Sequence, residues 1–107
     1  MTDQELTELA AKAVGITGEW HEGANVWLTN EQTAWDPLYT DADAFRLAVD
    51  LSLWIQISDR CAWAQQDADS ILGETAASSM VMFRDADDPY AAVRRAIVIA
   101  AAEAGKK

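Results

Sequence analysis

The segment from Asp88 to Gly105 constrains this chain more than any other. Asp88-Pro89 puts a carboxylate at a helix N-cap and a proline at the first helical position, where no backbone N–H is needed. Tyr90, Val93, Ile97, Ala100, Ala101 and Ala104 then recur at helical spacing and predict one apolar stripe. Ala91, Ala92, Ala96 and Ala102 are small, so this helix can lie close against a sheet. Gly105 is a natural stop, and Lys106 and Lys107 complement the negative end of the helix dipole.

The sheet that such a helix needs is written just before it. Leu53, Ile55 and Ile57 alternate with Trp54, Gln56 and Ser58, the period of a strand. Ser58-Asp59-Arg60 reads as a turn. Cys61 and Trp63 then alternate with Ala62 and Ala64, and Met80 and Met82 with Val81 and Phe83. Gln66 to Ser78 is small and polar and reads as a long loop.

Two more helices precede these strands. Thr2-Asp3-Gln4-Glu5 is a capping box, followed by the apolar spacing Leu6, Leu9, Ala10, Ala13, Val14 and by Gly15 as the stop. Asp41 to Leu51 predicts a second helix. Thr40 with Asp43 would cap it, and Asp43, Arg46 and Asp50 would form a solvated ion-pair ladder. Phe45, Ala48, Val49 and Leu51 would turn to the core. Between the two helices, Ala24 to Thr29 reads as a strand, with Glu19-Trp20-His21 as its hairpin partner. Pro37 pushes Asp36 towards extended backbone. The reading is one α+β domain over residues 1–107. Three helices pack on one face of a three- to four-stranded, mainly antiparallel sheet, in the order α-β-α-β-β-β-α.

Charge narrows the partners. The formal net charge is −10 over 107 residues, and the only basic pairs are Arg94–Arg95 and Lys106–Lys107. Direct nucleic-acid binding needs clustered cations and is not expected. An acidic surface suits a basic protein partner, or simple solubility. The longest apolar run, Ala96 to Ala102, is too short for a membrane span, and the acidic, polar start does not resemble a secretory leader.

No catalytic constellation emerges. His21 and Cys61 are the single residues of their kind and fall on different elements, and nothing local activates either. Asp36, Asp41, Asp43, Asp85 and Asp87 form acidic clusters, but they lack the alternating oxygen ligands, glycine turn and distal glutamate of a calcium loop. Most fall at helix N-termini, where carboxylates cap amides. Neither a metal nor a cofactor is expected.

Five tryptophans are the unusual count. If Leu53, Ile55 and Ile57 face the helices, Trp54 faces away. With Trp63 and Met80 or Met82 it would form an apolar patch on an open sheet face. Otherwise the Gln66–Ser78 loop or the Trp20–Trp35 segment would cover it.

Two stretches carry a resemblance. Trp35-Asp36-Pro37-Leu38 running into Asp41-Ala42-Asp43-Ala44-Phe45-Arg46-Leu47-Ala48-Val49 is one. Asp88-Pro89-Tyr90-Ala91-Ala92-Val93-Arg94-Arg95-Ala96-Ile97-Val98, continued from Ala100 to Lys106, is the other. Both are similar to small hypothetical proteins of tailed bacteriophages and prophages, with Ile99 standing where such helices often carry a basic residue. The resemblance implies a phage accessory protein in the host bacterial cytoplasm and implies no reaction. The expected function is therefore non-enzymatic: engagement of a basic host protein, with inhibition of a defence or nucleic-acid-handling system as the natural class. The interface residues would be Trp54, Trp63, Asp36, Asp41, Asp43, Asp85 and Asp87. The alternative is self-association, as a homodimer or assembly factor, through the open sheet face.

Overall fold

Residues 1–66 and 78–106 are described by the computed structural model. Three helices, α1 (Asp3–Val14), α2 (Asp41–Asp50) and α3 (Pro89–Gly105), combine with two three-stranded antiparallel sheets. The first sheet is β1 (Gly18–His21), β2 (Val26–Thr29) and β3 (Ala34–Trp35). The second is β4 (Leu53–Ile57), β5 (Cys61–Gln66) and β6 (Ser78–Met82). The α+β class and the order of helical and strand regions agree with the sequence. The first strand region resolves into a full meander. The Gln66–Ser78 loop falls, except for its two end residues, outside the described segment.

α3 is the hub. Its N-cap Asp88 accepts a hydrogen bond from the Ala91 N–H at 2.7 Å, and Pro89 occupies the first turn. It packs on β5 and β6 on one side, on α1 on another and on α2 on a third. Three packed sides are possible because Ala92, Ala96, Ala100, Ala101 and Ala102 are all buried, and their small side chains let neighbours approach closely. The apolar stripe is therefore wider than one face: Val98 is fully buried beside Ile97, while Tyr90, assigned to the stripe from its spacing, is exposed.

α1 keeps its sequence signals. Thr2 Oγ1 accepts from the Glu5 N–H at 3.1 Å, and Gly15 closes the helix in the left-handed region at φ 73°. Leu6, Ala10 and Ala11 face α3. The buried Thr7 hydroxyl is satisfied by donating to the Asp3 carbonyl at 2.7 Å.

α2 departs from its reading. Thr40 makes no side-chain cap, and Asp43 instead accepts from the Asp36 N–H at 2.9 Å, fastening the preceding turn to the helix. Among the described residues no ion pair joins Asp43, Arg46 and Asp50. Ala44, Leu47 and Ala48 are the buried set, and Phe45 and Val49 are exposed. The helix is held instead by α3. Arg94 donates through Nε to the Leu38 carbonyl at 2.9 Å and through Nη1 to Asp41 at 2.6 Å.

In the meander Trp20 lies opposite Trp27, and Trp27 opposite Trp35, so three tryptophans share one face towards α1. A side chain at Gly18 would collide with the Leu28 carbonyl and with Trp27 Nε1, which is why that position carries none. In the second sheet, Ile55 pairs with Ala64 and Ile57 with Ala62, placing both isoleucines on the α3 side as expected. Their cover is incomplete. α3 lies mainly over β5 and β6, and Ile55 and Ile57 remain 40% and 61% exposed on the overhanging β4.

A close approach between α3 and α1 is legible at Gly105. A Cβ there would sit 2.0 Å from the backbone oxygen of Leu9. Gly105→Ala is expected to lower stability by about 1–3 kcal/mol, the usual cost of overpacking. Gly23→Ala, at a position with nothing within 4 Å, should stay close to the parent. Urea denaturation of the two variants checks this.

Candidate functional site

Two surfaces emerge, on different parts of the molecule. The first is the outer face of the β4–β6 sheet. Gln56 pairs with Trp63 and Trp63 with Met80, so these side chains line one face together with Trp54. Trp54 is 69% exposed, Met80 59% and Trp63 44%. Trp54 lies opposite Gln65, one diagonal step from Trp63, within reach of an aromatic neighbour. The Trp20–Trp35 segment does not cover this face; it forms the meander against α1. Half-buried Cys61 shares the face, with its sulfur 3.4 Å from Ser58 Oγ. His21 is exposed on β1, 3.7 Å from a Glu19 carboxylate oxygen, and belongs to the other sheet. The two residues are not brought together.

The second surface is acidic and centres on Tyr39, a residue the sequence did not single out. Tyr39 is 63% exposed and forms a ridge between two open depressions. The larger, about 800 Å³, is lined by Asp3, Glu22 and Asp36 together with Trp20. The smaller, about 280 Å³, is lined by Asp85 and Asp87 with Leu38 and Arg95. The turn before α2, the N-terminus of α1 and the approach to α3 meet here, and each brings carboxylates: Asp36, Asp3, and Asp85 with Asp87.

The arginines on this side are already engaged. Arg95 lies 3.4 Å from Asp3 Oδ1, Tyr39 donates its hydroxyl to Asp3 Oδ2 at 3.0 Å, and Arg94 is committed to Asp41 and Leu38. Of the acidic residues picked out from sequence, Asp36 and Asp43 are joined by a hydrogen bond, Asp41 sits in an ion pair, and Asp85 and Asp87 border the second depression. All five lie on the Tyr39 side or at its margin, whereas Trp54 and Trp63 belong to the sheet face.

Asp36 shows the electrostatic cost of this concentration. Burial raises its pKa, and the neighbouring Asp43 charge raises it further, with the Tyr39 backbone N–H pulling the other way. The Tyr39 hydroxyl is also held above its ordinary value, first by its hydrogen bond to Asp3 and then by the Asp3 charge.

No family model, curated protein or solved structure matches this chain.

Two expectations follow. Trp54→Ala in dilute protein should change folding stability by no more than about 0.5 kcal/mol, as at other exposed positions. A core tryptophan would lose about 3–5 kcal/mol, and thermal melting separates the two. For Asp36 the raised folded-state pKa means that the native chain binds its proton more tightly than the unfolded chain does. Stability is therefore lost as pH rises from the ordinary carboxylate value of 3.8 through the folded-state value. Asp36→Asn should raise the melting temperature at neutral pH, and the gain should vanish below pH 3.8.

Proposed function

We propose that this is a non-enzymatic, phage-encoded binding protein that engages a basic surface of a host protein through the acidic face around Tyr39. A defence or nucleic-acid-handling protein is the target class that fits, because such proteins present cationic channels an acidic domain can occupy. The observation that carries this reading is the arrangement around Tyr39. Carboxylates lie on both sides of an exposed aromatic ridge, and the two adjacent arginines are paired internally. Tyrosine flanked by acids combines apolar contact area with charge attraction for Arg or Lys side chains. The phage assignment rests on the likeness of Trp35–Val49 and of Asp88–Lys106 to small phage proteins. The host cytoplasm is the location that goes with it.

The test is affinity capture from a bacterial lysate with the parent and with an Asp85→Lys/Asp87→Lys variant. Both positions are exposed and neither caps a helix. A specific partner should be retained by the parent at low salt, released at high salt, and bound at least about tenfold more weakly by the variant, roughly 1.4 kcal/mol. Equal capture by both proteins would exclude the Tyr39 face as the contact.

A further inference from the structure

The geometry points to a second association surface with a definite occupant: the β4 edge pairs antiparallel with the β4 edge of a second copy of this chain, joining two three-stranded sheets into one of six strands. This is independent of the Tyr39 face and places the dimer axis at Ile55.

The backbone supplies the first argument. β4 is an edge strand among the described residues. The Ser58 N–H donates to the Cys61 carbonyl at 2.9 Å, and on the other side of β5 the Phe83 N–H donates to the Arg60 carbonyl at 2.8 Å. Bonding alternates along antiparallel ladders. Trp54, Gln56 and Ser58 therefore turn their N–H and C=O groups towards β5, and Leu53, Ile55 and Ile57 turn theirs to the open edge. With Ile55 opposite its own copy, Leu53 meets Ile57 of the second copy and every outward group in the strand gains a partner.

The side chains supply the second. Natural edge strands are blunted by lysine, proline, bulges or inward charges. Leu53-Trp54-Ile55-Gln56-Ile57 has none of these, and its register with β5 is uninterrupted. It carries large apolar side chains on both faces, Trp54 on one and Leu53, Ile55 and Ile57 on the other, as strands at the centre of a sheet do. As an edge it leaves Trp54 exposed on one face and Ile55 and Ile57 on the other. Pairing about Ile55 sets the two Trp54 rings on a diagonal at the axis on the open face, and groups four isoleucines on the helix side. There α2, packed against β4, leaves Phe45 and Val49 exposed.

Charge supplies the third. In a chain of net charge −10, β4 carries no ionisable residue, so two copies approach along this edge with little local repulsion. One end carries an anion, and the other a cation with an anion beside it. Asp50 ends α2 just before the strand, and Arg60 follows in the turn after it, beside Asp59. Neither Asp50 nor Arg60 has an ion-pair partner among the described residues. Antiparallel pairing brings the Asp50 end of each strand beside the Arg60 end of the other, twice by symmetry.

Sedimentation velocity of the full chain, from low micromolar to near-millimolar concentration, should show a reversible species of twice the 11.7 kDa chain mass. Ile55→Pro removes an outward N–H and no bond to β5, and Ile57→Lys places a charge on the same edge. Each should raise the dissociation constant at least about tenfold with the circular dichroism spectrum retained. Met80→Glu lies on β6, away from the axis, and should leave dimerisation unchanged. Asp50→Arg and Arg60→Asp should each weaken self-association, and mixing the two single variants should restore a heterodimer in which both end pairs are complementary. A parent that stays monomeric at every concentration would overturn the proposal. So would a dimer insensitive to both β4 variants, or one broken by Met80→Glu alone, which would indicate face-to-face stacking.

Discussion

Everything in this fold depends on how closely its neighbours can approach α3. The helix is surrounded by β5 and β6, α1 and α2, and the contact surfaces are made almost wholly of alanine with Ile97 and Val98 as the larger inserts. Alanine contributes little apolar area per residue, so the stabilisation comes from many short contacts rather than from a few large side chains. The same economy of size appears across the contacts, in Ala10 and Ala11 of α1 and in Ala62 and Ala64 of β5. Gly105 is the limiting case, where only a hydrogen fits beside the Leu9 carbonyl. The Ser79 hydroxyl donates to the Ala96 carbonyl, tying sheet to helix at the same close range.

This way of building a core governs what is left outside it. With alanine lining the interior, the large apolar residues are not all needed there. The meander holds Trp20, Trp27 and Trp35 against α1, but Trp54, Trp63, Met80, Ile57 and Phe45 lie on the surface. A strongly charged chain tolerates such exposure because mutual repulsion opposes indiscriminate collapse. The acidic charge and the apolar sheet are thus complementary properties of one molecule, segregated to different parts of it. The internal pairing of Arg94 and Arg95 sharpens the segregation, since it leaves the Tyr39 side with few cations facing solvent.

Much of this was legible in the residues. Caps at Thr2 and Asp88, the stop at Gly15, and the period-two alternation from Leu53 to Ile57 and from Cys61 to Ala64 all correspond to the elements found. Local signals of this kind depend on near neighbours and so survive in a one-dimensional reading. α2 shows where that fails. Its burial is set by packing against α3, to which Arg94, fifty-odd positions away, fastens the start of the helix, and Ala44, Leu47 and Ala48 lie inward in place of Phe45 and Val49. Helical spacing identifies two candidate stripes in Asp41–Asp50 and cannot choose between them. Ile55 and Ile57 were assigned to the correct side, but the lateral reach of α3 across the sheet is a tertiary quantity with no sequence period. Tyr39 became visible only when three helix starts met around it. Its own neighbours, Leu38 and Thr40, give no sign of Asp3 or Asp85.

The central position of α3 also bears on how the chain acquires its structure during synthesis. α3 follows all the other elements, yet α1, α2 and the second sheet each bury their apolar sides against it. A nascent chain that has emerged only as far as β6 owns two helices and two sheets with no common interior. Hairpins and short helices are marginal alone. The native arrangement must therefore condense after translation has passed Gly105, in a late step that joins α1 to residues some ninety positions downstream. Until that moment the apolar sides of β5 and β6 are uncovered beside the unblunted β4 strand. Ribosome-bound chains of this protein are thus predisposed to need chaperone shielding until α3 is available to cover them.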